Sequence, residues 1–290
     1  MRSLLFVPAD SPHKLEKSLD AGADALIVDL EDSVALAAKP AARAAARAFI
    51  AAAMQRVDRP RIVLRVNALD TGLIDADLDA VMAAAPDAIM LPKSRHGADV
   101  QHLGAKLAVR EAEHNLEDGA TGVIAIATET AGAIFGLGSY AGASRRLRGL
   151  TWGAEDLSAA LGSESTRLAD GAYTDPYRLA RALTLFGACA ADVDPIDTVF
   201  VNFRDQQSFR AECEAARRDG FTGKMAIHPD QVAIINAVFT PPPQAVEQAR
   251  KIVAAFAQNP GAGVLSIDGR MTDRPHLLRA ERMLARLRDA

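Results

Sequence analysis

The chain has two cysteines in 290 residues, Cys189 and Cys213. A disulfide framework is therefore not expected, a reducing compartment fits, and each thiol reads as a small packed side chain rather than a nucleophile. Positive charge is not in excess: 33 Lys and Arg stand against 37 Asp and Glu, a net charge of -4, with the bases scattered among acids. A nucleic-acid partner, which needs a basic stripe, is not expected. No apolar run approaches the ~20 residues needed to cross a bilayer. The apolar stretch in "MRSLLFVPADSP" is too short for a signal-peptide core. These absences predict a soluble, cytoplasmic protein with no membrane partner. No G-x-G-x-x-G follows the first apolar segment, which removes the main support for a nucleotide-binding open sheet.

The chain does have an ample hydrophobic fraction, 49%, with only 5% aromatic residues. Alanine does much of the filling, which suits close helix–sheet packing. Short β-branched runs alternate with alanine-rich amphipathic ones. Strands are predicted at 3–7, 25–29, 61–66, 88–91, 122–127, 149–152, 198–201 and 224–227, with helical patterns such as 39–55, 74–84 and 206–218 between them. The strands are continuously apolar, as in a parallel sheet buried on both faces. Eight βα units predict an α/β fold, a (β/α)8 TIM barrel over residues 1–240. Residues 241–290 read as a C-terminal extension: a helix after "TPPPQ", a hairpin turning at Asp268–Gly269, and a last helix from about Pro275. That extension is a candidate lid over its own or a neighbouring subunit's site.

In such barrels the chemistry lies at the C-terminal strand ends. Here those ends carry Asp29, Glu31 and Asp32 ("VDLED"), Arg65 and Asn67 ("LRVN"), Lys93 ("LPKS"), Glu129 ("IATET"), Glu155 and Asp156 ("WGAED") and His228 ("KMAIHP"). Glu129 and Asp156 come from neighbouring strands, and two converging carboxylates repel unless one is protonated or a cation lies between them. Oxygen donors without histidine or cysteine favour Mg2+, with Mn2+ possible, over Zn2+. The competing reading is helix capping by each acid. Arg65 either pairs with the Asp29/Glu31 cluster, or offers a fork to a ligand carboxylate, or does both. Lys93 reads as a structural ion pair or a Schiff-base lysine, and His228 as a fixed hydrogen-bonding group.

The segments "RSLLFVPADSPHKLEKSLDAGADALIVDLEDSV", "VLRVNALDTG", "IMLPKS", "ATETAGAI", "TWGAEDLSAALG", "GFTGKMAIHPDQVAIINAVFTPPPQ" and "GRMTDRPHLLRAERML" resemble the citrate lyase beta-subunit-like family. Malyl-CoA and citramalyl-CoA lyases belong to the same group. The resemblance covers almost the whole chain in order. It implies a barrel of the phosphoenolpyruvate/pyruvate superfamily that forms a homo-oligomer, a trimer or hexamer. It implies Mg2+ on Glu129 and Asp156, with Glu129 also lining the substrate site, and Arg65 holding the carboxylate of a 2-oxo acid. Asp273 would be the proton-transfer group, reaching a neighbouring subunit's site. Three positions depart from the family pattern: Thr272 where a branched apolar residue is commoner, Asn202 where an acid is frequent, and "GAYTDPYRLAR" in place of a shorter run.

The expected activity is a Mg2+-dependent carbon–carbon lyase that cleaves a thioester such as malyl-CoA or citramalyl-CoA into acetyl-CoA and a 2-oxo acid. Coenzyme A would enter as part of the substrate, its phosphates meeting bases such as Lys14, Lys39 or Arg43. Four other readings stay open: a citrate lyase beta subunit acting on a carrier-protein thioester, a malyl-CoA thioesterase, a metal-dependent 2-oxo-acid aldolase, and a non-catalytic 2-oxo-acid-binding subunit.

Overall fold

The computed structural model of the chain describes residues 1–288. Two compact units divide it, Met1–Phe239 and Thr240–Ala290. In the first, the elements run β1 (Ser3–Pro8), α1 (Pro12–Ser18), β2 (Ala25–Asp29), α2 (Lys39–Ala53), β3 (Arg61–Arg65), α3 (Ile74–Val81), β4 (Ala88–Leu91), α4 (Gly97–Glu113) and β5 (Gly122–Ile126). A 3₁₀ run (Ala131–Tyr140) follows, then β6 (Leu147–Thr151), α5 (Ala154–Leu161), α6 (Asp175–Ala190), β7 (Asp194–Asp197), α7 (Gln206–Asp219), β8 (Gly223–Ala226) and α8 (Pro229–Phe239). The eight strands are all parallel, and β8 pairs with β1 to close the barrel, so the predicted (β/α)8 fold is the observed one.

Alternation along each strand sorts the side chains into two cores. Leu4, Ala25, Ile27, Val63, Met90, Ile124, Ile126, Ile196 and Met225 fill the barrel interior. Leu5, Leu26, Ile62, Leu64, Ile89 and Val123 face the helices, where small residues such as Ala42, Ala46 and Ala53 of α2 allow close approach. This alternation puts Asp29 and Arg65, the last residues of β2 and β3, on the inward face at the C-terminal end. The two are direct register partners.

One predicted strand is misplaced. The seventh strand is Asp194–Asp197, not 198–201. Its sequence DPID looks like a turn, because Asp and Pro are poor strand formers. The buried Asp197 is tolerated because Lys224 Nζ lies 2.8 Å away, Arg181 Nε 3.3 Å away, and the Trp152 indole donates to it at 2.8 Å. After β5 the chain forms a 3₁₀ run rather than an α-helix; Gly132, Gly136 and Gly138 lie within it, and glycine disfavours a long α-helix there.

The second unit holds α9 (Pro243–Gln258), β9 (Val264–Ile267), β10 (Arg270–Asp273) and α10 (Arg274–Arg288). The β9–β10 hairpin turns at Asp268 and Gly269, with φ of 50° and 74°. Two successive left-handed residues suit a tight two-residue turn, and Asp-Gly is the pair that accepts it most readily. Among the described residues no helix is long and apolar enough to cross a membrane. Cys213 is buried, which pushes its thiol up to about 12 and fits a packing role, whereas Cys189 is exposed.

Candidate active site

Arg65 is the hub on one side of the barrel mouth. Its Nε and Nη2 each donate 2.7 Å hydrogen bonds to the two oxygens of Asp29. Backbone N–H groups of Glu31 and Ser33 also donate to Asp29, which holds its carboxyl below the usual range despite burial. The Phe6 ring lies beneath the guanidinium, 4.8 Å from ring centroid to Cζ. Nη1 comes within 2.9 Å of Glu31 Oε2 without an aligned hydrogen bond. The pairing reading of Arg65 is the observed one: Nε and Nη2 are spent on Asp29 and Nη1 faces Glu31, so a ligand carboxylate would have only the remaining Nη hydrogens to meet.

Lys93 links this cluster to the second half of the site. Its backbone N–H donates to Glu129 Oε2 at 2.6 Å. Its ammonium lies 2.5 Å from Glu31 Oε1 and 3.1 Å from Asp156 Oδ1. These acids hold the lysine protonated, above its ordinary range, against the cost of burial. A charged amine with such partners is an ion pair and a poor Schiff-base nucleophile. Lys93 also has a φ of 52°, rare for a residue with a side chain. Of the two sequence readings of Lys93, the structural ion pair is the observed one.

Glu129 is buried and its carboxyl is pushed up to about 8, first by desolvation and then by repulsion from Asp156. Gly153 makes room for it: a Cβ there would lie 2.8 Å from Glu129 Cγ and 3.0 Å from Oε1. Helix α5 starts at Ala154, with Gly153 as its N-cap and Asp156 in the first turn; no side chain caps it. Asp156 is therefore not the N-cap of α5, although its place in the first turn suits the helix N-terminus, and Thr130 rather than Glu129 is the N-cap of the 3₁₀ run. Glu155, next to Asp156, is exposed.

The fit of this pair to a cation follows from its surroundings. Glu129 is costly as an anion, its neighbour is a second carboxylate, and Thr130 Oγ1 and Glu31 Oε2 are buried without a hydrogen-bond partner. A hard cation offsets that repulsion and would use oxygen donors. Among the described residues no group of three or more His, Cys, Asp or Glu gathers in a metal-holding arrangement. A cation at Glu129 and Asp156 would thus complete its shell with water and substrate oxygens, as Mg2+ does.

Other predicted residues have structural duties. Lys39 is buried and donates to the carbonyls of Leu30 and Glu31, so it is not free to meet a phosphate. Arg43 is paired with the buried Asp77. Lys14 alone of the three suggested bases is exposed. Asn67 donates to Asp77 and to Leu30 O. The His228 ring stacks on Phe203 and its Nδ1 accepts from the Asp230 N–H, the fixed role expected of it. Asp273 belongs to β10 in the second unit, where its carboxylate pairs with His276.

Comparison with known proteins adds a lineage to this geometry. The family described as HpcH/HpaI aldolase/citrate lyase matches residues 2–229. A citrate lyase subunit beta of Leuconostoc mesenteroides subsp. cremoris is 34% identical over 98% of this chain and 92% of its own. A (3S)-malyl-CoA thioesterase of Cereibacter sphaeroides is 36% identical over 98% of this chain and 94% of its own. Among solved structures, protein CitE from Mycobacterium tuberculosis in complex with magnesium, acetoacetate and coenzyme A aligns with a TM-score of 0.76. It is 35% identical and covers 98% of this chain and 97% of that one.

Proposed function

Because the chain belongs to the HpcH/HpaI aldolase/citrate lyase family of carbon–carbon lyases, we propose that it is a Mg2+-dependent lyase. It cleaves a 3-hydroxy-dicarboxyl-CoA thioester, such as malyl-CoA or citramalyl-CoA, into acetyl-CoA and a 2-oxo acid. The observation that carries this reading is the Glu129–Asp156 pair beside an arginine anchored by Asp29. The magnesium, acetoacetate and coenzyme A held by the CitE neighbour support the choice of cofactor and of a thioester carrier.

In this reading Glu129 and Asp156 hold the cation. Bound there, Mg2+ supplies Lewis-acid polarisation of the oxo-acid carbonyl. The remaining Nη hydrogens of Arg65 orient the oxo-acid carboxylate, and Lys93 keeps Asp156 and Glu31 in place. The C-terminal unit acts as a lid and supplies Asp273 as the proton-transfer group, to its own chain's site or to that of a neighbouring copy. In the synthetic direction Asp273 takes a proton from the methyl carbon of the acyl thioester; in cleavage it returns one. We also propose a homo-oligomer, a trimer or hexamer. Phe135 and Phe186, 92% and 66% exposed, are apolar surface of the kind an interface covers.

Hydrolysis is the second reading, favoured by the likeness to a malyl-CoA thioesterase. Incubation with malyl-CoA and citramalyl-CoA, with Mg2+ or with chelator, separates the two by mass spectrometry of the products. The proposal expects acetyl-CoA and a 2-oxo acid, lost on chelation and in Asp273→Asn. Free coenzyme A with malate or citramalate would mean hydrolysis instead.

A further inference from the structure

The acid proposed for proton transfer does not stand alone. Asp273 ends β10 and His276 lies in the first turn of α10, three residues on. That spacing brings the two side chains onto one face of the turn. His276 Nδ1 meets Asp273 Oδ1 in a short contact, and the Asp273 backbone N–H points at the same nitrogen from 3.3 Å. The neighbouring cation is otherwise engaged: Arg274 donates to the Pro260 carbonyl and lies over the Phe256 ring. Both members of the pair are partly exposed, at 35% for Asp273 and 37% for His276, so a substrate can reach them.

We infer that His276 is the positioning residue of the proton-transfer step, and that the one proton Asp273 removes is the proton then shared between its Oδ1 and His276 Nδ1. The inference rests on the reading of Asp273 given above and deepens it. A lone carboxylate is a weak base toward a carbon acid, and the proton it removes must be held until the reverse step. The imidazole fixes the rotamer of Asp273 and gives that proton a second resting place. In the synthetic direction the C–H bond at the thioester methyl breaks and its electron pair becomes the enolate double bond. The proton passes to Asp273 Oδ and is shared with His276. In cleavage the proton moves from the pair to the terminal carbon and the enolate collapses to the thioester.

Deuterium exchange into the methyl group of acetyl-CoA, followed by NMR in D2O with Mg2+ present, tests this without requiring the full substrate. The wild type should exchange, and Asp273→Asn should not. His276→Gln, which keeps a side-chain donor but cannot take up a proton, should exchange about 100-fold more slowly with the acetyl-CoA concentration for half-maximal rate unchanged. Added imidazole should restore exchange to His276→Gly. Wild-type exchange in His276→Gln, with Asp273→Asn inactive, overturns the pairing and leaves the role of Asp273 standing. Exchange in Asp273→Asn, or none in the wild type, overturns both.

Discussion

At Gly153 the backbone is ordinary extended chain, with φ of -122° and ψ of 117°, so glycine is not needed there for its conformational freedom. It is needed for space, because any Cβ would press on Glu129. Gly153→Ala should fold with a melting temperature close to that of the wild type yet bind Mg2+ at least ~10-fold more weakly, since a ligand displaced by a few tenths of an ångström loses its shell geometry. Calorimetric titration checks this, and unchanged affinity would mean Glu129 is not a ligand. Glu129 itself predicts a pH dependence. Its folded-state value of about 8 lies above that of an unfolded carboxyl, so its contribution to stability is full below about 4.5 and is lost as pH rises through 8. Mg2+ must displace the proton, so affinity should rise with pH and level off above 8. At pH 7 close to one proton should be released, measurable as a dependence of the binding heat on buffer ionisation enthalpy. The two acids were legible as a pair because each follows an apolar strand. Lys93 was legible as an ion-pair residue, but its partners were not, because Glu31 and Asp156 stand 62 and 63 residues away in sequence.

Among the elements, β7 shows where local reading stops. A four-residue strand with two acids and a proline carries no strand signal of its own, and its stability is supplied from α6, β8 and Trp152, just after β6. The other seven strands were readable because an apolar run buried on both faces needs no distant partner to be recognised. The placement of β7 predicts that Lys224→Met destabilises the protein by roughly 3 kcal/mol in urea unfolding, because Asp197 loses the ammonium that sits 2.8 Å away in a fully buried site. Lys224→Met combined with Asp197→Asn should recover much of that loss. A single variant as stable as the wild type would mean that Arg181 and Trp152 suffice for Asp197.

For the molecule as a whole, the barrel gathers polar groups at one end: Asp29, Arg65, Lys93, Glu129 and Asp156 come from the C-terminal ends of β2 and β3, from the loops after β4 and β5, and from the first turn of α5 after β6. Sequence patterning reached the eightfold alternation and the order of the polar strand ends. Resemblance to known lyases was needed to give those ends a reaction, since a barrel by itself implies none. The proposed reaction depends above all on Glu129 and Asp156 acting together on one cation. The measurement that tests this most directly is calorimetric titration of Mg2+ into the wild type, Glu129→Gln and Asp156→Asn, with circular dichroism to establish that each is folded. Saturable binding to the wild type is expected, and none measurable in either variant. Wild-type affinity in either folded variant would contradict that joint action.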